Sequence, residues 1–338
     1  MSKQLPVTTG VIHLAEVSGA CWISEPERLI LVSDESGIFV VEDPARQLIQ
    51  GEVRNFRQVV PQDAGRARIK FDDLEDVAWD PDGRKLYFLG SHSLKRNGKR
   101  DTDRRVVLRL PVAADGTIGA AARTEALGQA VERDSPCLSQ AGQRTTSQAG
   151  LNMEGLEWSR EEGGSLLVGL RSPTLTSTAK REDKLQEDAI LLKLPRVPGL
   201  FEHPAAAAVL VEAPAKKEGT YVGWVEKGKA EDRLAPLWPL NLGGMGIRGL
   251  AAEGKKGLWI LAGLAMDPNH AIGAPPWDVW YLAKPDEQPA RVSLPTRGGL
   301  EFPEAICRLE LDGEPYLLLV EDTPEKSGYL LLPCPKRD

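Results

Sequence analysis

A short pattern that recurs along the whole chain constrains the fold more than any other feature. Its clearest copy is Asn152-Met153-Glu154-Gly155-Leu156-Glu157-Trp158. Aligning the weaker copies on one position, which we call the anchor, gives five anchors: Ser18, Glu75, Glu154, Arg248 and Glu304. A small or acidic residue follows each anchor, an apolar residue stands at the second position, and Ala, Glu or Cys stands at the third. Repeats of this length indicate supersecondary units that bury their faces only against one another.

Short strands are predicted after every anchor. Segments rich in Val, Ile, Leu and Phe alternate there with Pro, Gly, Asp and Ser, as expected of strands joined by turns. Residues 9–17 resemble a strand without a local partner, and the last repeat stops after three strands. Pairing the two ends of the chain would complete the last blade and remove exposed sheet edges. We therefore predict an all-β fold, a β-propeller of five blades, with six blades as the alternative if a long spacing hides a degenerate blade.

The repeats predict one domain over residues 1–338, although the length alone would allow two. Three insertions are expected, near 112–150, 172–188 and 195–236. The first is poor in large apolar side chains, so we expect one outer strand and a long loop there.

Composition and charge argue against two classes of function, nucleic-acid binding and membrane association. The formal net charge of −7 has both signs interspersed, which gives no general reason to expect nucleic acid. No apolar run approaches the roughly 18 residues of a membrane helix, and the first residues do not resemble a leader. The four cysteines lack CxxC spacing, and Cys21 and Cys307 occupy equivalent positions in two repeats. We therefore predict reduced thiols, a cytoplasmic location and no membrane association.

The anchors are expected at one mouth of the central channel, because the innermost strand of a blade starts where the second strand ends. The same reasoning places Asp34 and Asp322, which follow second strands, at this mouth. Several glutamates near one axis need a cation, an arginine or a shared proton. Three alternatives stay open: pairing with Arg171 and Arg248, binding of a hard divalent ion such as Ca²⁺ or Mg²⁺, or simple hydrogen bonding between blades. The candidate metal ligands are Glu75, Glu154, Glu304, Asp73 and Asn152.

Two neighbouring segments add candidates at the same mouth. His92, within Gly90-Ser91-His92-Ser93, could act as a general base or metal ligand, or it could be a structural histidine. The basic run from Lys95 and Arg96 to Arg100 could recruit a phosphate, with a solvated loop as the default. The run lacks interleaved aromatic residues, so it is a poor platform for single-stranded nucleic acid.

Searches for established catalytic motifs find none in the sequence. Gly-x-Ser-x-Gly, the P-loop, HExxH and the dinucleotide fingerprint are all absent. No organic cofactor is therefore expected, and a metal-activated water is a better hypothesis than a covalent intermediate.

The chain resembles a bacterial family known only as a domain of unknown function. The resemblance covers roughly residues 10–335 and rests on these segments: Leu74-Glu75-Asp76-Val77-Ala78-Trp79, Gly90-Ser91-His92-Ser93, Met153-Glu154-Gly155-Leu156, Gly169-Leu170-Arg171-Ser172-Pro173 and Gly246-Ile247-Arg248. The chain is also distantly similar to phytase-like esterase propellers and to SdiA-regulated propellers. These resemblances imply calcium and ester or phosphoester substrates, although Ser18 and Arg248 stand where a uniformly acidic hub would have carboxylates.

Two functions follow as hypotheses. The first is a metal-dependent hydrolase of a small anionic ester, with a phosphoester favoured. Its catalytic residues would be His92, Glu154 and Arg171, and its substrate-binding residues Arg171, Arg248, Ser91, Lys95 and Arg96. The alternative is a non-catalytic propeller that binds a ligand or a protein partner at the same rim, with its glutamates neutralised by Arg171 and Arg248.

Overall fold

In the computed structural model, five sheets of antiparallel strands surround a central channel. The structure describes residues 6–61, 70–134, 136–160, 164–176, 187–195, 201, 237–254, 257–265, 277–284 and 287–335. The strands in chain order are β1 (Thr8–Ile12), β2 (Val17–Ser24), β3 (Glu27–Ser33), β4 (Gly37–Val41), β5 (Glu52–Val53), β6 (Phe56–Pro61), β7 (Leu74–Asp80), β8 (Lys85–Gly90), β9 (Val107–Pro111), β10 (Ala122–Thr124), β11 (Asn152–Ser159), β12 (Ser165–Thr176), β13 (Glu187–Pro195), β14 (Leu237–Leu240), β15 (Gly246–Ala252), β16 (Leu258–Gly263), β17 (Trp277–Leu282), β18 (Ala290–Arg291), β19 (Pro303–Leu311), β20 (Glu314–Glu321) and β21 (Ser327–Pro333). The helices are α1 (Pro44–Gln50), α2 (Ala126–Asp134) and α3 (Pro136–Ala141), with 3-10 turns at Thr102–Arg104 and Thr146–Gln148.

The five sheets are the five predicted blades. From the channel outwards they contain β2-β3-β4-β6, β7-β8-β9-β10, β11-β12-β13-β14, β15-β16-β17-β18 and β19-β20-β21-β1. Apolar side chains of facing sheets fill the space between neighbouring blades, as where Tyr87 stacks on Trp158 with ring centroids 5.5 Å apart. The prediction of an all-β, five-bladed propeller is confirmed.

The two ends of the chain close the ring as predicted. Strand β1 pairs antiparallel with β21, and Thr8 lies opposite Leu331. Strand β5 then adds to the outer edge of β1 in parallel. The outer strand of the first blade therefore begins at Phe56, because Glu52 and Val53 pair with the last blade.

The insertion at 112–150 is more ordered than the predicted strand and long loop. It contains β10 and then the two helices α2 and α3. Leu127, Val131 and Leu138 are buried in the apolar layer between the second and third blades, which explains why this stretch forms helices. The central parts of the other two insertions, 177–186 and 202–236, lie outside the described residues. Across the described ranges, no helix is long and apolar enough to cross a membrane.

Every inner strand is interrupted at its anchor by a β-bulge. The pairing with the second strand shifts between Val17 and Gly19, Leu74 and Asp76, Met153 and Gly155, Ile247 and Gly249, and Pro303 and Ala305. The residue that the ladder skips is the anchor in all five cases. A bulge redirects a side chain and often lies next to a functional site. We call the five bulged residues, Ser18, Glu75, Glu154, Arg248 and Glu304, the anchor ring.

The residue after each anchor faces the next blade at close range. A Cβ atom on Gly19 would lie 2.6 Å from the Cα atom of Asp76, and one on Gly249 would lie 3.0 Å from the carbonyl oxygen of Glu304. Such spacing leaves no room for a side chain, which explains the small residues at this position. The exception is Asp76, whose side chain bonds to the backbone of the next blade.

Candidate functional site at the anchor ring

A buried network of charged side chains joins three members of the anchor ring. Oε1 of Glu154 accepts hydrogen bonds from Nη1 of Arg171 and Nδ2 of Asn152, each at 2.8 Å. Nη1 of Arg248 lies 3.3 Å from Oε2 of Glu154 and also bonds to Glu304. The side chains of Glu154 and Arg248 are only 4% and 5% exposed. Two guanidinium groups thus balance two carboxylates, which is the arginine pairing that the sequence left as one alternative.

The surroundings shift the pKa values of two members of this network, Arg171 and Glu304. Burial alone would lower the pKa of Arg171, but the carboxylates of Glu154, Glu304 and Glu75 raise it overall. Burial also raises the pKa of Glu304, and Arg248 opposes that shift. Removing one charge from such a group leaves its partner buried and unbalanced, which is costly.

Four further carboxyl groups at this mouth have no such partner. Glu16, Asp34, Glu75 and Asp322, which we call the surplus carboxyl cluster, form no salt bridge with Lys or Arg among the described residues. Burial, followed by repulsion from Asp322 and Glu16, raises the pKa of Asp34 to about 9. Burial and Glu304 raise that of Asp322 to about 7.

The pKa values of the other two members, Glu75 and Glu16, are also raised. Burial raises the pKa of Glu75 well above its usual value, helped by repulsion from Asp73 and Glu154. Burial also raises the pKa of Glu16, although a hydrogen bond with Asp34 opposes the shift. In all four groups the shift favours the protonated form, and a bound cation would oppose it by stabilising the ionised form.

Asp73 is engaged locally and is not part of this surplus. Its Oδ2 accepts hydrogen bonds from Oγ of Ser91 and, at 3.3 Å, from Oγ of Ser93, and it lies 3.1 Å from Nη1 of Arg104. Its backbone has a φ of 58°, and that of Glu16 has a φ of 52°. Residues other than glycine rarely adopt this left-handed conformation, and they concentrate at functional sites. Both residues stand two positions before an anchor.

The five predicted metal ligands converge on this mouth, but most of them already have partners. Glu154 and Glu304 pair with arginines, Asp73 pairs with Arg104, and Asn152 donates to Glu154. Glu75 alone of the five makes no hydrogen bond or salt bridge within the described ranges. In that part of the chain, no group of three or more His, Cys, Asp or Glu side chains could hold a metal ion. The predicted ligand set remains a prediction, and it would require the arginines to move.

His92 lies apart from this network. Its ring is 1% exposed, Nδ1 lies 2.7 Å from the carbonyl oxygen of Gly90, and the backbone φ is 58°. A side chain at Gly128 of α2 would meet the ring, so the ring faces that helix. Ser91, by contrast, bonds to Asp73 at the mouth. The placement favours the structural alternative for His92, and its role as a general base remains a prediction.

Lys95, the first residue of the basic segment, is paired with two aspartates. Nζ of Lys95 lies 2.5 Å from Oδ2 of Asp101 and 3.7 Å from Oδ2 of Asp72. Arg96 is exposed. The interpretation of this segment as a solvated loop is thus favoured over an anion site built on Lys95.

Glu16 is the member of the mouth that the sequence analysis missed. It stands two residues before the anchor Ser18, as Asp73 and Asn152 stand two residues before theirs. Extending the repeat alignment upstream by two positions would have identified it.

Comparisons with known proteins give one family model of unknown function and several solved structures of low sequence identity. A family model described as "Protein of unknown function (DUF3616)" matches residues 205–329, and no curated protein sequence matches the chain. A thermostable family-43 glycoside hydrolase is similar in structure, with 11% identity, a TM-score of 0.44, and coverage of 100% of this chain and 94% of that one. So is a carbohydrate-active enzyme of family AA12 from Trichoderma reesei, with 9% identity, a TM-score of 0.44, and coverage of 96% and 95%. The WD40 repeats of RRP9 align with 9% identity, a TM-score of 0.42, and coverage of 98% and 100%.

Proposed function

We propose that this protein binds a small, positively charged ligand at the anchor ring. The observation that supports this most directly is the surplus carboxyl cluster of Glu16, Asp34, Glu75 and Asp322. These side chains form no salt bridge with Lys or Arg among the described residues, and burial together with mutual repulsion raises their pKa values. A cation would replace the protons and remove the repulsion.

The charge balance favours a cation over the small anionic ligand considered from the sequence. Arg171 and Arg248 are committed to Glu154 and Glu304, so an anion would have to displace one of these carboxylates. A hard divalent ion, Ca²⁺ or Mg²⁺, is the first candidate because its preferred ligands are carboxylate oxygens. Since the described residues form no ready-made metal site, the ion would draw the carboxylates together or keep part of its water shell.

A thermal unfolding experiment tests this proposal. The protein is first treated with excess chelator, and then Ca²⁺, Mg²⁺, Mn²⁺, Zn²⁺ or the organic cation spermidine is added. A cation that binds the folded state at about a hundred times its Kd should raise the midpoint by about 5 °C. The double variant Asp34→Asn, Asp322→Asn should lose this response, whereas Glu42→Gln, a change at an exposed carboxylate outside the mouth, should keep it. A flat response to all five cations would refute the proposal.

The second candidate function is catalytic, a metal-dependent hydrolase of a small anionic ester, first of all a phosphoester. Asp322 favours it, because burial and Glu304 raise its pKa to about 7 in the ion-free protein. In this form Asp322 is not a ligand of the ion, and a carboxyl group of such pKa can give and take a proton at neutral pH. A metal ion bound among Glu75 and its neighbours would supply Lewis-acid activation of water or ester. Asp322 would serve as the proton carrier, and Arg171 would hold Glu154 in place.

Hydrolysis of p-nitrophenyl phosphate, measured with each ion that raises the midpoint, separates the catalytic from the non-catalytic form. In the catalytic form, Asp322→Asn loses turnover and keeps an ion-dependent rise in the midpoint. Equal turnover in the variant and the parent protein would exclude Asp322 as the proton carrier. An ion-dependent midpoint without turnover would leave the ligand-binding propeller as the function.

A further inference from the structure

A second cavity lies at the opposite end of the five inner strands from the anchor ring. Its volume of about 500 Å³ falls in the range of small-molecule sites, roughly 300 to 1,000 Å³. Strands β2, β7, β11, β15 and β19 all contribute to its lining, which contains no residue of the anchor ring. We call it the lower cavity.

The shape of the lower cavity follows from the repeat. The fourth position after the anchor is tryptophan in the first three blades: Trp22, Trp79 and Trp158. The fourth and fifth blades have Ala252 and Arg308 at that position. The missing indole at Ala252 leaves open space beside three apolar walls, and the fifth blade supplies a cation to that space.

Arg308 carries a buried donor without an acceptor. Its Nε is buried and has no hydrogen-bond partner among the described residues. Its Nη2 lies 3.4 Å from Oε1 of Glu310, a carboxylate whose side chain is 50% exposed. A buried guanidinium N–H without an acceptor is costly, so the geometry favours a ligand that brings an oxygen acceptor. Arg160 is exposed at the opening of the same cavity and adds a second positive charge.

Glu157, the acid on the wall of the cavity beside the tryptophans, does not present a free negative charge. Its Oε1 accepts the N–H of Trp158 at 2.6 Å, and its Oε2 accepts the N–H of Ala252 at 2.7 Å. Burial raises its pKa to about 7. Backbone amides thus engage both oxygens of this carboxyl group, and its repulsion of an anion in the cavity weakens as the pH falls below about 7.

We propose that the lower cavity binds a small organic acid with an apolar body. Arg308 binds the carboxylate, the tryptophans contact the apolar body, and the open space beside Ala252 receives it. The lining also contains Glu253 and Glu310, so the carboxylate of the ligand is bound through the Arg308 donor and not by an overall positive charge. The lining shares no residue with the anchor ring, so the two proposals stand or fall separately.

Three aromatic acids, benzoate, cinnamate and indole-3-acetate, serve as probes, and their amides serve as neutral controls of the same shape. Isothermal titration with the full-length protein should give saturable binding of at least one acid and at least about tenfold weaker binding of its amide, because a charge-assisted hydrogen bond is lost. Arg308→Gln should weaken the acid about tenfold and leave the amide unchanged. The matched control Arg57→Gln, at an exposed arginine of β6, should alter neither.

Two further variants locate the site and separate it from the anchor ring. Ala252→Trp fills the space beside the indoles and should abolish binding of the acid, with retention of the parent far-ultraviolet circular dichroism as the check on folding. Glu75→Gln changes the anchor ring and should leave binding of the acid unaltered. Equal affinity for acid and amide, full binding by Arg308→Gln, or no binding of any of the three acids would each overturn the proposal.

Discussion

Glu75 and Asp76 are neighbours in the sequence and belong to two different parts of the channel wall. Glu75 is a bulged residue of the anchor ring and has no hydrogen bond or salt bridge within the described part of the chain. The Oδ1 of Asp76 accepts the N–H of Val77 in its own strand at 2.8 Å, and its Oδ2 accepts the N–H of Leu156 in the next blade at 2.7 Å. Because the strand pairing skips Glu75 and resumes at Asp76, two neighbouring carboxyl groups have different roles.

The difference is between carboxylates that hold the blades together and carboxylates that are available to a ligand. Asp76 and Glu157 bond to backbone amides of the next blade, which fixes the spacing of inner strands. The side chains of the surplus carboxyl cluster bond to no backbone amide of another blade among the described residues. Instead they repel one another across the mouth. Stability should therefore depend on the first group, and binding and pH response on the second.

The largest effect is expected from Asp76→Ala. The change leaves the buried N–H of Leu156 without its acceptor and removes a link between two blades. We expect the free energy of unfolding to fall by about 3 kcal/mol, as measured by denaturant titration. Glu75→Gln is the matched control one residue away, and it should change the free energy by less than about 1 kcal/mol. Similar losses in both variants would contradict the division of roles.

The architecture could be predicted from the sequence because each copy of the repeat coincides with the same backbone feature. Each anchor marks a bulge, so aligning five anchors was enough to predict five blades and a common mouth. Asp76 could also have been found, since it is the one acid at a position that is otherwise Gly or Ala. The alignment contained the signal, although the bulge itself is visible only in the strand pairing.

The choice of partner for each charge could not be predicted, since it depends on distances across the closed ring. Arg248 and Glu304 stand on neighbouring inner strands, and Arg171 reaches Glu154 from the second strand of the same blade. For His92, the small polar residues around it predicted the rim. In the structure its backbone is left-handed and its ring lies against α2, and α2 belongs to a stretch whose composition predicted a loop.

A smaller but still large effect is expected from Arg248→Met, which leaves Glu154 and Glu304 without their shared cation. Because Glu304 retains some exposure, the loss in free energy of unfolding should be about 2 kcal/mol at neutral pH. The double variant Arg248→Met, Glu304→Gln should recover about half of it, since one unbalanced carboxylate is then removed. If the double variant were no more stable than Arg248→Met, the pair would not be coupled. The measurement is denaturant unfolding of the three proteins in the same buffer.

The smallest effect concerns pH and separates the two groups of carboxylates most directly. The pKa values of Asp34 and Asp322 in the folded state, about 9 and about 7, lie above the value of about 3.9 in an unfolded chain. The folded state therefore holds more protons, and the free energy of unfolding must fall as pH rises from about 4 to about 9. We expect the contribution of these two groups to fall between about pH 5 and about pH 8 in the presence of chelator, as measured by denaturant unfolding at each pH.

The double variant Asp34→Asn, Asp322→Asn should flatten this slope. A cation that binds the parent protein should flatten it as well, since it stabilises the ionised cluster more as protons leave, and its affinity should rise with pH. If the slope persisted unchanged in the double variant, the titrating groups would belong to the other set, Asp76 and Glu157, whose pKa values burial also raises. The carboxylates that hold the blades together would then also be the ones that respond to pH.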